Sequence, residues 1–109
     1  MITPTGSFKD NLQLLASVDG ISHIDLKDAA GAIVDTIENK PGMQGSLVVY
    51  QYLAEVFGSI DVKAAAHGLE VFAEHTVDAK NRPGAHPNID RLLDVIDTGK
   101  SLDVQVVRA

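Results

Sequence analysis

The run Ile21-Ser22-His23-Ile24-Asp25-Leu26-Lys27, then Asp28-Ala29-Ala30-Gly31, then Ala32-Ile33-Val34-Asp35-Thr36-Ile37-Glu38, decides the fold class. Its hydrophobic pattern has a period of two. Ile24 and Leu26 share one face of an extended chain with Ser22, and His23, Asp25 and Lys27 share the other. The four-residue break holds a glycine free to take positive φ, and Ile33 and Ile37 fall on one face of the second run. The pattern predicts a β-hairpin with one solvated face.

A two-stranded hairpin is marginal alone, so a third strand is required. The C-terminus supplies it, because Leu102, Val104 and Val106 alternate with Asp103, Gln105 and Val107. The remaining segments read at helical spacing. Ser7 is placed to cap a helix carrying Phe8, Leu12 and Leu15 that ends at Asp19-Gly20. Ser46 is placed to cap a second, with Val49, Leu53, Val56 and Phe57 inward and Gly58 as its stop.

From Ser59 or Asp61 the spacing predicts one long helix to about Lys80, with Val62, Ala65, Ala66, Leu69, Phe72, Ala73, Thr76 and Val77 on its apolar arc. Gly68 lies at the edge of that arc, where a missing side chain lets a neighbour approach. Asn88 then caps a last helix with Ile89, Leu92, Leu93 and Ile96 inward, stopped by Gly99. The expected architecture is therefore a single α+β domain over residues 1–109: a small antiparallel sheet on about four helices, in the order α-β-β-α-α-α-β. Such a sheet has two free edges, and pairing of edge strands across a two-fold axis is the expected route to a homodimer.

Composition narrows the partners. Fifteen carboxylates against nine Lys and Arg give a formal charge of −6, which disfavours nucleic acid and anionic membranes. The bases are concentrated in the second half, which is the better place for an anion site. There is no cysteine, so disulfides, thiolate metal sites and cysteine nucleophiles are excluded. Neither an export signal nor an apolar run of membrane-spanning length is seen, and a soluble cytoplasmic protein is expected.

Two segments carry candidate chemistry. His75 and Asp78 lie three apart on a helix and face similar directions, while His86 follows in the Pro/Gly loop and Asp90 one turn into the next helix. If the two helices form a hairpin, His75, Asp78, His86 and Asp90 converge as two imidazoles and two carboxylates, a set suited to a divalent metal such as Zn, Mn or Fe. With an open water position such a centre is hydrolytic. The competing reading is structural: His75 hydrogen-bonds to the next helix, and Asp90 sits favourably at a positive helix end.

The second candidate is Lys40-Pro41-Gly42-Met43-Gln44-Gly45-Ser46, a glycine-bearing turn between a strand and a helix N-terminus. Its backbone N–H groups suit a phosphate or carboxylate, with Lys40, Gly42, Gly45, Ser46 and the more distant Arg82 as binding residues. It is not a P-loop, since the lysine precedes the glycines. The competing reading is a turn that needs positive φ. Arg82 and Arg91 are read as flanking His86, with a surface ion pair as the competing reading, and His67 with Glu70 and Glu74 as a solvated face. His23 and Asp25 are read as a cross-strand or interface feature. Ser46, Ser59 and Ser101 have no nucleophile-elbow context.

Glu74-His75-Thr76-Val77-Asp78-Ala79, the later Pro83-Gly84-Ala85-His86-Pro87-Asn88-Ile89-Asp90-Arg91-Leu92-Leu93, and Asn39-Lys40-Pro41-Gly42-Met43-Gln44-Gly45-Ser46-Leu47 together resemble a small family of uncharacterised bacterial proteins. The resemblance implies bacterial origin and transfers no activity. Two functions of different class follow from the residues: a non-enzymatic binding or interaction module, and, as the alternative, a metal-assisted hydrolase using His75, Asp78, His86 and Asp90.

Overall fold

The computed structural model describes residues 1–109. Its elements run α1 (Phe8–Leu12), β1 (Ile21–Lys27), β2 (Ile33–Glu38), α2 (Gln44–Phe57), α3 (Val62–Phe72), α4 (Glu74–Asn81), α5 (Pro87–Thr98) and β3 (Asp103–Arg108). The three strands form one antiparallel sheet in the order β2-β1-β3, so the C-terminal strand completes the hairpin as the period-two pattern requires. The expected α+β order of elements holds, with the long third helix divided in two.

Two β-bulges decide which side chains reach the core. Ile21 pairs with Arg108 and His23 with Val107, so Ser22 is the extra residue. This flips the parity, burying Ile21 with Ile24 and Leu26 and exposing Ser22. On β2, Leu26 faces Asp35 but Lys27 faces Ile33, so Val34 is extra. Ile37 is fully buried, whereas Ile33 is 58% exposed, against the expectation that the two share a face. Strict alternation cannot register an inserted residue, and both departures have that cause.

The helices cover the face of the sheet carrying Ile24, Leu26 and Ile37, with Leu47, Tyr50, Leu53, Ile60, Val71 and Leu92 among the buried side chains that fill the interior. Gly68 is buried where α3 passes between α2 and α5: a Cβ there would stand 2.8 Å from Leu53 Cδ1 and 2.9 Å from Leu92 Cδ1. The glycine lets three helices approach more closely than any side chain would allow.

Helix ends depart from expectation in instructive ways. Ser7 accepts from the Asp10 N–H and Asp61 from the Ala64 N–H, so α1 and α3 begin with side-chain caps. Ser46, however, does not cap α2. The turn closed by Met43 N–H to Lys40 O, with Gly42 at φ 85°, starts the helix three residues earlier than a Ser46 cap would, and Ser46 lies in its first turn. Nor does Asn88 cap α5, which opens with Pro87 in the first position after His86. α1 is also shorter than its apolar spacing suggests, because Leu14 and Leu15 donate three residues back and the chain leaves the helix.

The expected helix from Ser59 to Lys80 breaks at Ala73, whose φ of 53° and ψ of −117° are those of the first central residue of a type II′ turn. Alanine pays a steric cost there that glycine would not. Its N–H turns to Glu70 O, and the Thr76 hydroxyl donates to Leu69 O at 2.6 Å, supplying the donor that the lost helical turn withdraws. With the break, Val77 is 60% exposed instead of inward. Val62 and Ile96, also expected inward, are exposed.

Candidate functional site

The break at Ala73 positions α4 so that His75 borders a cleft at the N-terminal ends of α2 and α5. The cavity has a volume of about 350 Å³ and is lined by Phe8, Gly42, Met43, Gly45, Ser46, Phe72, His75, Ala85, His86, Pro87, Asn88 and Ile89. Two segments read separately in the sequence, the Lys40–Ser46 turn and the His75–His86 region, therefore contribute to one site. Its apolar wall rests on the Phe8 and Phe72 rings, stacked with centroids 5.2 Å apart. The His75 ring meets Phe8 edge to face at 5.0 Å and lies 5.6 Å from His86.

Behind His86 stands a charged pair. His86 Nε2 is 2.7 Å from Asp78 Oδ2, and Arg82 grips both oxygens of the same carboxylate, Nε to Oδ1 at 2.9 Å and Nη2 to Oδ2 at 2.5 Å. The Arg82 guanidinium, with a smaller contribution from His86, holds the Asp78 carboxyl well below the usual carboxylate range. Asp78 is thus an ionised, acceptor-only group, so a neutral His86 must carry its proton on Nε2. Nδ1 is left as a lone pair. His75 uses neither ring nitrogen in a hydrogen bond within the chain.

The two helices that open on the cleft lack the side-chain caps that α1 and α3 have. Gly45 and Ser46 occupy the first turn of α2, where N–H groups have no partner four residues back within the helix. The positive ends of both helix dipoles therefore lie beside the two imidazoles. This favours acceptors and anions as occupants.

The other proposed site residues fall outside this lining. Lys40 is paired with Glu38, whose carboxyl it lowers, and Arg82 is engaged by Asp78. Asp90 accepts from the Gly84 N–H at 3.0 Å, stabilising the loop that presents His86. No three or more His, Asp or Glu side chains are grouped so as to hold a metal ion. Of the four-residue set, His75, Asp78 and His86 are neighbours in sequence of contact, and Asp90 is separately occupied.

Sequence reading missed the network that supports the floor of the cleft. Tyr50, fully buried on α2, donates to Asn88 O at 2.5 Å and receives Arg91 Nη1 at 3.2 Å. Arg91 also donates to Asn88 Oδ1 at 2.8 Å, pairs with Asp35 of β2, and lies over the Tyr50 ring. Burial pushes the Tyr50 phenol up to about 12, so its hydroxyl keeps its proton and its bond to α5. A tyrosine with polar neighbours in an apolar stripe was the only available signal.

His67 is likewise more than a solvated residue. Its Nε2 lies 2.7 Å from the Tyr52 hydroxyl, which accepts from the Ile2 N–H at 3.0 Å and pins the N-terminal segment to α2. Burial shifts the His67 imidazole downward. Glu74, expected on the same solvated face, instead accepts from the Phe8 N–H at 2.7 Å and anchors α1 against α4. His23 and Asp25 remain on the open sheet face, with Thr36 donating to Asp25 at 2.8 Å.

No helix is long and apolar enough to cross a membrane. Comparison with curated proteins and with solved structures gives no match. A family described as an uncharacterised protein conserved in bacteria (DUF2322) matches residues 8–106, a span that includes every element from α1 to the greater part of β3 and all the residues lining the cleft. The chain belongs to this bacterial family.

Proposed function

We propose that the protein is a binding module whose cleft between α2, α4 and α5 takes a small anionic ligand with an apolar body. One observation carries this reading: two uncapped helix N-termini and two imidazoles meet on a cavity that the stacked Phe8 and Phe72 rings also line. The size is at the lower end of the range of small-molecule sites. An anion head at the polar end satisfies the free donors, while the apolar body displaces water from the aromatic wall.

Thermal unfolding with added benzoate tests the reading. A ligand present at about 100 times its Kd stabilises the native state by about 2.7 kcal/mol, which at this chain length is a rise of roughly 10 °C or more. The rise should shrink in His86→Gln and persist in Lys40→Ala, because Lys40 is held by Glu38 outside the cleft. No rise in the wild type would reject the proposal.

The metal-assisted hydrolase remains a second reading, favoured by the 5.6 Å separation of the His75 and His86 rings. It requires Asp78 to loosen its hold on Arg82 and Asp90 to release Gly84. Elemental analysis of purified protein decides it: stoichiometric metal that is lost in His86→Ala supports a metal centre, and metal-free protein from metal-supplemented growth rejects it.

Interaction with a second copy is proposed through β2, an edge strand without internal Lys or Pro whose Ile33 and Val34 are 58% and 52% exposed. Light scattering should then give a dimer mass that reverts to a monomer in Val34→Lys. A monomeric wild type at working concentration rejects edge pairing.

A further inference from the structure

Three distant parts of the chain meet at the Tyr52 hydroxyl. The Ile2 N–H donates to it at 3.0 Å, and His67 Nε2 of α3 lies 2.7 Å away. A phenol holds its one proton near the ring plane on one side of the oxygen and accepts best on the other. The Ile2 N–H takes the accepting side, so the Tyr52 proton points to His67, whose Nε2 is then a lone pair. The imidazole is accordingly neutral, with its proton on Nδ1. Its ring packs with centroids 5.5 Å from Tyr52 and 5.8 Å from Phe57, and burial holds His67 below the ordinary histidine range.

A proton on His67 reverses this relay. Nε2 becomes a donor, and two protons cannot both lie in the 2.7 Å between it and the Tyr52 oxygen. The phenol turns its O–H to the opposite side, where it confronts the Ile2 N–H, donor against donor. The bond lost is the one hydrogen bond that ties residues 1–4 to the rest of the chain. We infer that residues 1–4 are a pH-operated strap: protonation of His67 turns the Tyr52 hydroxyl, breaks the bond from Ile2 and withdraws Ile2 from its seat against the core.

The charges around His67 set the direction. On α3, Glu70 favours the imidazolium and opposes the effect of burial, while Lys63, one turn earlier, is exposed. From the strap itself the Met1 ammonium is a like charge, so a protonated His67 also repels the end of the segment it releases. On α2 the facing group is the Tyr52 phenol, and the Glu55 carboxylate accepts from Gln51 Nε2 at 3.4 Å. The unfolded chain takes the proton on His67 more readily than the folded one. Stability from docking the strap is therefore present above the ordinary histidine range and is lost as pH falls through the lower folded value.

The opening stops at Thr5. Its N–H and hydroxyl donate to Asn11 Oδ1, and its carbonyl accepts from Asn11 Nδ2. Beyond it Phe8 keeps its bond to Glu74, so the wall of the cleft lies outside the part that moves.

Nuclear magnetic resonance of the full chain, following the Ile2 methyls and the His67 ring protons between about pH 5 and 8, the interval in which histidines titrate, tests the inference. The expected result is a shift of the Ile2 methyls to the position of a free isoleucine as pH falls, with the same midpoint as the His67 ring, while the Thr5 methyl holds its position. In His67→Gln the carboxamide oxygen accepts from Tyr52 at every pH, and Ile2 should stay docked throughout. This variant keeps the Met1 ammonium, so any movement caused by that group appears in it and is subtracted. Tyr52→Phe removes the acceptor, and Ile2 should be at the free position already at neutral pH. The wild-type curves decide alone if a variant does not fold. An Ile2 signal that stays docked while His67 titrates, a His67 ring that takes up no proton in the interval, or an acid shift retained in full in His67→Gln overturns the inference.

Discussion

Asn11→Ala is expected to destabilise the protein by roughly 2–4 kcal/mol, the scale of leaving buried polar groups without partners. Asn11 is fully buried near the end of α1, and its side chain is saturated. Nδ2 donates to Thr5 O and to Val71 O, both at 3.0 Å, while Oδ1 accepts from Thr5 N at 2.7 Å and from the Thr5 hydroxyl at 3.1 Å. It therefore joins the N-terminal segment to α3 across sixty residues of sequence. Alanine removes all four bonds and leaves the Val71 carbonyl facing a cavity that it cannot fill. Thr5 borders solvent and recovers part of its loss from water, which keeps the estimate below a full sum of four bonds. Urea unfolding measures the effect, and a change below about 0.5 kcal/mol, the ordinary range of a surface substitution, would show that the contact is dispensable. Because the same bonds hold the chain just before Phe8, Asn11→Ala should also weaken ligand binding at the Phe8 wall.

Gly68→Val should cost about 3 kcal/mol or more, because overpacking of 1–3 kcal/mol is typical and here two helices resist at once. Its Cβ alone would lie under 3 Å from a methyl of Leu53 and of Leu92, and both leucines are fully buried. Leucine ends can rotate, but in a packed interior each has nowhere to go without disturbing a further neighbour. Gly68→Ala makes the same first contact yet recovers about 1 kcal/mol of helix propensity, so its net loss should be smaller, about 1–2 kcal/mol. Valine adds two more carbons and lacks that compensation. Leu92→Val, which shortens one opposing side chain, should partly relieve Gly68→Ala: the double variant should be more stable than the sum of the single losses implies. Strict additivity would mean that the leucines do not limit this site.

These two positions also show how much was legible beforehand. Gly68 stood out in the sequence as a glycine at the edge of a helical apolar arc, and close approach was the natural reading. Which helices approach was not readable, since that depends on how α2 and α5 pack against α3. Asn11 gave no signal, because an asparagine in a short amphipathic helix is indistinguishable from a surface residue until Thr5 and Val71 are brought to it.

The candidate site divides in the same manner. His75, Asp78 and His86 lie within twelve residues, and their grouping followed from helix geometry and one intervening loop. That His86 would take Asp78 as its partner, and that Asp90 would turn to Gly84, depends on where α5 begins. Proline at position 87 opens α5 earlier than an Asn88 cap would. Of the two readings of Arg82, an anion pocket and a surface ion pair, the structure has the ion pair, made with Asp78 one helical turn away.

The sequence by itself determined the class of fold, the number and order of strands, the single domain and the segments that carry reactive side chains. These are local properties: a period of two or 3.6, a glycine at a helix end and a capping side chain act within a few residues. Tertiary structure decided the bulges at Ser22 and Val34, the break at Ala73, the partners of Asn11 and Tyr50, and the union of the Gly42–Ser46 turn with His75 and His86 in one cleft. Most of these depend on groups dozens of residues apart competing for the same donor, acceptor or volume, and that competition is resolved only when the helices pack on the sheet.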